Sequence, residues 1–245
     1  QSGIGVVKNI KEAVKWYKLA AEQRNANAQN NLGGCYENGI SVIKNAKEAV
    51  KWFKLAADQG HALAQNNLGQ CYHHGRGIAK DKKEAFNLFK LAAEQGHPSA
   101  QNNLGCCYRD GVAFKDKKAV KWFRLAAKQG NTAAQTNLGY CYYHGIGVVK
   151  NDKEAIKWYK LAAKQGDAEA QYRLAQIYFF YTKVLMTKAA AQGHQDAQKY
   201  LDSNNKRKQN PTDHDNTYKR KCLTLTDKVC KLNQEILELA TTSLD

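Results

Sequence analysis

Proline is nearly absent, with two residues in 245, at positions 98 and 211. Backbone breaks imposed by a missing N–H are therefore rare, and long helices are permitted. Alternating β-branched residues are scarce outside short loops, which argues against sheet. Apolar runs are short: none approaches the roughly 20 residues that a membrane-spanning helix needs. No Asn-x-Ser/Thr sequon is present once Asn210-Pro211-Thr212 is set aside. An initiator Met is lacking too, and residue 1 falls inside a loop, since GIGVVKNIKEAVKWYKLAAEQ at the start matches GIGVVKNDKEAIKWYKLAAKQG from Gly145. We expect a piece of a longer protein, with any leader, anchor or fused domain upstream out of view.

What is there is a repeat. Ala28-Gln29, Ala64-Gln65, Ala100-Gln101, Ala134-Gln135 and Ala170-Gln171 open successive copies at steps of 36, 36, 34 and 36 residues. Four copies continue with a Leu-Gly pair (Leu32-Gly33, Leu68-Gly69, Leu104-Gly105, Leu138-Gly139) and a Cys-Tyr pair (Cys35-Tyr36, Cys71-Tyr72, Cys107-Tyr108, Cys141-Tyr142). A glycine-containing loop and a block such as EAVKWFKLAADQG from Glu48 complete the unit. A fixed period of this size marks a solenoid of stacked units with a shared core.

The order of these motifs resembles the Sel1-like repeat, an α/α relative of the tetratricopeptide repeat, over residues 3 to 201. The resemblance implies an all-α fold, a right-handed superhelix of antiparallel helix pairs that acts as a non-enzymatic adaptor or scaffold. The expected organisation is an array at 1–201, a polar linker at 202–217 and an amphipathic helix at 218–245. The array comprises a half repeat, four regular repeats, one degenerate repeat and a closing helix.

Each unit reads as two helices. In the first, A, helix, Ala28, Leu32, Cys35 and Tyr36 share a face at i, i+4, i+7, i+8 spacing, and Gly33 lets another helix approach closely. Asn45, Asp81 and Asn151 each precede a Glu by three residues, the capping-box pattern that starts the second, B, helix. Copy three departs from it, with a loop two residues shorter and Ala119 where the Glu would stand, so a tighter turn is expected. In helix B, Ala49, Trp52, Phe53 and Ala56 face inward, and Lys47, Lys51 and Lys54 face outward. Gly60, Gly96, Gly130 and Gly166 end it as left-handed caps. His61, His97, Asn131 and Asp167 stand just before the next A helix, and Pro98 takes its first position. Copy five loses nine residues between Tyr178 and Gly193, so its A helix is expected to run almost directly into B, before a closing helix near 196–201. In the tail, Cys222, Leu225, Val229, Leu232, Ile236 and Leu239 form an apolar seam with alternating steps of three and four. The seam needs a surface, either the open end of the array or a second chain.

Seven cysteines leave one without a possible partner. Cys35, Cys71, Cys107 and Cys141 occupy one repeat position on helices about 8–10 Å apart, beyond the roughly 7 Å Cα separation that a disulfide tolerates. A secreted branch of the resembled family bridges the two helices of each repeat, but here the B helices carry no Cys partner. Buried reduced thiols in a cytoplasmic or nuclear setting are expected. The net charge is +16; 30 basic and 15 acidic residues fall before residue 202, so the array carries the excess.

His73-His74 and the cysteine ladder suggest a metal, yet the matching His144 lies two repeats away and no four ligands converge; no metal or cofactor is expected. GRGIAK from Gly75 follows no strand and is a turn rather than a phosphate loop. Without a recurring Ser/His/Asp or Cys/His constellation, catalysis is not expected. A basic stripe on the B helices (Lys15/Lys18, Lys51/Lys54, Lys90, Lys121/Arg124, Lys157/Lys160) invites nucleic acid, but it lies on an outer face among acidic residues.

Comparing copies gives the stronger site. Core positions barely change, whereas Gly34, Gln70, Cys106, Tyr140 and Gln176 vary at one outward position of helix A, and Glu37, His73, Arg109, Tyr143 and Phe179 at another. If the A helices line the concave face, these residues form a groove flanked by a ladder of Asn31, Asn67, Asn103 and Asn137. The ladder either binds an extended peptide backbone or stitches adjacent repeats. Toward the C-terminal end the groove turns aromatic through Tyr140, Tyr143, Tyr172, Phe179 and Phe180, as an apolar anchor or as the seat of the tail helix. The expected function is a protein-interaction scaffold for a peptide or domain, favoured by acidic partners, with self-association through 218–245 as a further expectation. The alternatives are a regulatory repeat segment of a larger signalling protein, for instance one fused to a kinase-like domain, and a basic nucleic-acid-binding array.

Overall fold

The computed structural model describes residues 9–110 and 116–209. These residues form eleven α-helices, and none is in a strand. The helices are α1 (Ile10–Glu22), α2 (Ala26–Asn38), α3 (Ala46–Ala57), α4 (Ala62–His74), α5 (Lys82–Glu94), α6 (Pro98–Asp110), α7 (Asp116–Lys128), α8 (Thr132–His144), α9 (Asp152–Lys164), α10 (Ala168–Ala191) and α11 (Gln195–Gln209). The chain divides into two compact units, residues 1–161 and 162–245.

In the first unit, consecutive helices pack in pairs, each A helix (α2, α4, α6) most extensively on the B helix that follows it. The B helices start as their sequence dictates. Asn45 Oδ1 accepts the N–H groups of Lys47 and Glu48, Asp81 does the same for Lys83 and Glu84, and Asn151 accepts from Glu154. Such a cap stabilises a helix by about 1 kcal/mol. The A helices are capped by residues whose position alone was evident. Asn25 and Asn131 accept from Ala28 and Ala134 through Oδ1 at 2.9 Å, and His61 and His97 accept from Ala64 and Ala100 through Nδ1 at 3.2 Å.

The core repeats once per unit: Ala49, Phe53 and Ala56 of α3, and their counterparts on α5 and α7, are at most 2% exposed. Each phenyl ring lies on the glycine of the preceding A helix. A Cβ at Gly33, Gly69 or Gly105 would come within 2.7 Å of Phe53, Phe89 or Phe123. Trp52 departs from the inward expectation. It is half-buried, resting on the edge of the α1–α2 core with Lys51 Nζ 5.8 Å from its ring, and the equivalent Trp16 is 63% exposed.

In the second unit, α10 runs unbroken for 24 residues, so the shortened fifth copy has no turn between its A and B halves. Ala170, Leu174, Ile177 and Tyr178 are its buried side chains, and α11 packs on it. Asp167 caps α10 and His194 caps α11, accepting from Ala170 at 2.7 Å and Ala197 at 3.4 Å. Helix α11 continues to Gln209, where a polar linker was expected from residue 202. Its first turns carry the i, i+3 and i, i+4 pairs Lys199–Asp196 and Gln198–Asp202, and Lys, Arg and Gln are good helix formers. The short loop of the third copy, the linker from 210 and the tail helix at 218–245 lie outside the described residues.

Candidate functional site

The A helices of the first unit stand side by side, and two sets of side-chain amides fix their spacing. The expected ladder is one. Asn67, Asn103 and Asn137 donate through Nδ2 to Oδ1 of Asn30, Asn66 and Asn102 in the preceding repeat, at 3.0, 3.0 and 2.9 Å. Of the two roles considered for the ladder, stitching is the one these bonds perform. Asn31 occupies the same position of α2 and is half-buried.

Sequence reading missed the second set. Gln29, Gln65, Gln101 and Gln135 are buried, and each donates to the last turn of the preceding B helix, at Ala21, Ala57, Ala93 and Ala127, over 3.0–3.4 Å. The first three also accept from Gln59, Gln95 and Gln129, just past the end of the next B helix, at 2.7–2.9 Å. One side chain thus ties three helices. Its signal was the identical Gln after the opening Ala of every copy.

On this frame the varying residues are placed as follows. Glu37 pairs with Arg76 from the loop of the next repeat at 3.2 Å. His73 is half-buried, its ring 4.7 Å from His74 and 6.4 Å from Phe89; burial, then His74, Lys80 and Lys82, depress its pKa. Arg109 is held by Asp110, donates to Asn137 Oδ1 at 2.9 Å and lies 5.5 Å from the Phe123 ring. The hydrogen bond to Asp110 raises its pKa and keeps it charged. Tyr140 and Tyr143 flank His144, with ring centroids 4.3 and 5.0 Å away, and Lys150 Nζ stands 5.5 Å from Tyr143. The first unit therefore presents, in order, an ion pair, a histidine pair, an anchored guanidinium and an aromatic cluster. Nothing in the repeat pattern announced Arg76 or Asp110, because neither recurs. Tyr172 and Phe179 sit in the second unit, 56% and 45% exposed on α10, where Tyr172 Oη accepts from Gln176 at 2.8 Å.

The other candidates resolve chemically. Cys35, Cys71, Cys106, Cys107 and Cys141 are unpaired thiols. Burial pushes Cys71, Cys107 and Cys141 up to about 11, so thiolate is scarce at neutral pH and the ladder is a poor nucleophile. Among the described residues, no three His, Cys, Asp or Glu side chains could hold a metal ion, and no helix is long and apolar enough to cross a membrane. The basic stripe is interleaved with acid: Lys15, Lys51, Lys90 and Lys157 each pair with a Glu one turn away on their own helix.

Known proteins fit this geometry. The family model described as the Sel1 repeat matches residues 1–25, 26–61, 62–97, 98–131, 132–167 and 168–181. A Sel1 repeat protein from Oxalobacter formigenes is 40% identical, with 71% of this chain and 70% of that one covered and a TM-score of 0.67. The protective antigen c5321 of uropathogenic Escherichia coli, which displays the SLR fold, is 36% identical over 80% of this chain, at a TM-score of 0.65. Only 44% of that protein is covered, so this chain spans less than half of its length. Immunity protein Pa5087 of Pseudomonas aeruginosa shares the fold alone, at 23% identity, 71% and 65% coverage and a TM-score of 0.50. No curated protein matches the sequence.

Proposed function

Because the chain belongs to the Sel1 repeat family, whose members are generally protein-interaction scaffolds, we propose that the A-helix face of the first unit binds a protein partner, as an extended peptide or a domain. The observation that carries the reading is the contrast within one helix type. Positions facing the core hold the same Ala, Leu, Gly and Cys in α2, α4, α6 and α8, while the position of Glu37, His73, Arg109 and Tyr143 changes in charge and shape at every step. A scaffold that only had to stack would need no such variation.

Roles follow from the chemistry. The Tyr140–Tyr143–His144 cluster offers flat, amphipathic rings of the kind that dominate interface energetics. His73 with its depressed pKa is a neutral imidazole that can donate or accept. Glu37 and Arg109 are pre-paired, so a partner meets oriented charges rather than flexible ones, at a smaller entropic cost. The Asn ladder, its donors committed between repeats, supports the face more than it contacts a ligand. An array carrying nearly all of a +16 excess would steer acidic partners toward it. Tyr172 and Phe179, expected at the aromatic end of the groove, lie on α10 of the second unit.

Capture from a native lysate tests this, with the parent chain beside an H73A/Y140A/Y143A variant of matched helix content. Discrete proteins retained by the parent and lost from the variant support the face. Material that both retain and that moderate salt releases would mean that charge alone is responsible, and would refute the proposal.

A further inference from the structure

In every regular repeat the A and B halves fold against each other: Gly69 of α4 lies beneath Phe89 of α5, and Ala85, Phe89 and Ala92 are at most 2% exposed. The fifth copy keeps both halves and loses the turn. By repeat alignment Ala175 stands where Gly69 stood, and Thr182, Met186 and Ala189 stand where Ala85, Phe89 and Ala92 stood. In the continuous α10, Ala175 and Met186 are eleven residues apart, about 16 Å along the axis, so they cannot meet within one chain. Their faces stay open accordingly. Thr182, Met186 and Ala189 are only partly buried, whereas Ala85, Phe89 and Ala92 are at most 2% exposed.

We propose that α10 pairs antiparallel with α10 of a second copy, each copy supplying the half that the other cannot fold back. Three observations converge on this occupant. Tyr172, Ala175, Phe179, Thr182, Met186 and Ala189 follow one another at alternating steps of three and four, a continuous seam on one side of the helix. Of the buried residues of α10, Ala170, Leu174 and Ile177 lie on the opposite side and Tyr178 borders the seam. Placing Ala175 against the second copy's Met186, as the regular repeats place glycine against phenylalanine, fixes the register. Tyr172 then faces Ala189, and Phe179 faces Thr182. Each large side chain meets a small one, three times in each direction, about a two-fold axis between positions 180 and 181. Self-complementarity of this kind is what a two-fold interface requires. A different sequence would have to match both halves independently.

The test uses the full chain with Cys222 and Cys230 replaced by Ser. Sedimentation should give a dimer, and F179D/M186D should give a monomer with unchanged helix content. An A175C/M186C double variant should cross-link between chains on mild oxidation, whereas each single variant should not, because the register sets neither residue opposite itself. An intrachain bond is excluded by a spacing well beyond the roughly 7 Å limit. Inserting a copy of the 145–151 loop after Tyr181 should restore the hairpin and yield a monomer. A parent that sediments as a monomer, a dimer that survives F179D/M186D, or single variants that cross-link as fully as the double would each overturn the proposal. The second of these would assign pairing to residues outside α10, such as the apolar seam at 218–245. The lysate comparison concerns only α4 and α8, so the two readings fail separately.

Discussion

Gly33 and Gly34 are neighbours on α2, yet substituting Ala should move stability in opposite directions. An added Cβ at Gly33 would lie 2.7 Å from both Cδ1 and Cε1 of Phe53, and 3.2 Å from the backbone oxygen of Ala49. The ring is 0% exposed, so it cannot swing into solvent to make room. Overpacking of this kind costs about 1–3 kcal/mol. At Gly34 a Cβ would meet nothing within 4 Å. In both places Ala is the better helix former by about 1 kcal/mol. That gain is common to the pair, so the difference between the variants isolates the overpacking at about 1–3 kcal/mol. Net, G34A stabilises by up to about 1 kcal/mol and G33A destabilises by about 1 kcal/mol. Urea unfolding followed by circular dichroism measures both, and F53L, which shortens the opposing side chain, should recover most of the G33A loss. Equal midpoints for G33A and G34A, or a G33A loss that F53L leaves untouched, would refute the claim that this glycine seats the ring.

Three further outcomes are expected. Arg24 has φ 64° where the equivalent Gly60, Gly96 and Gly130 have 82–86°, and a left-handed non-glycine residue is strained by roughly 1–2 kcal/mol; R24G should raise the urea midpoint, by about 1 kcal/mol of stability. Burial depresses the pKa of His61 and, with a contribution from His61, that of His97, and both cap through an unprotonated Nδ1. The unfolded chain takes up protons first as pH falls below the ordinary value of about 6.5. The capping stability is therefore complete above that value and is lost as pH drops toward the folded-state pKa, and H61N/H97N, with the residue found at Asn131, should flatten the stability profile between neutral and mildly acidic pH. Finally, Q65M fills similar volume but strips the bonds to Ala57 and Gln95, leaving buried groups unpaired at about 1–3 kcal/mol, and amide exchange should accelerate in the last turn of α3.

Local features were legible because local spacing determines them. Caps lie three residues from the N–H they accept, as at Asn45 and Asp81; left-handed glycines end their helices; the nine residues missing after Tyr178 left little room for a turn in α10. The Gln65–Gln95 and Asn67–Asn30 bonds were hidden because the partners lie about one repeat apart in sequence, the Gln65–Ala57 bond because it crosses from one repeat to the next, and periodicity alone cannot say which of two adjacent asparagines donates. Arg76 on Glu37 and Asp110 on Arg109 were invisible for the opposite reason: they occur once. The full length of α11 was not legible because Asp202, Ser203, Asn204 and Asn205 make a polar run typical of linkers, whereas the Lys, Arg and Gln residues of 206–209 favour helix and prolong it.

The proposed working face is the A-helix side of the first unit, with the B helices behind it. Hydrogen exchange on the full chain, free and with a captured protein bound, reads this directly. Binding should slow exchange in α4, α6 and α8 around His73, Arg109 and Tyr143 and leave α3, α5 and α7 unchanged. Protection confined to α3, α5 and α7, along the Lys51–Lys90–Lys121 stripe, would place the partner on the opposite side and contradict the account.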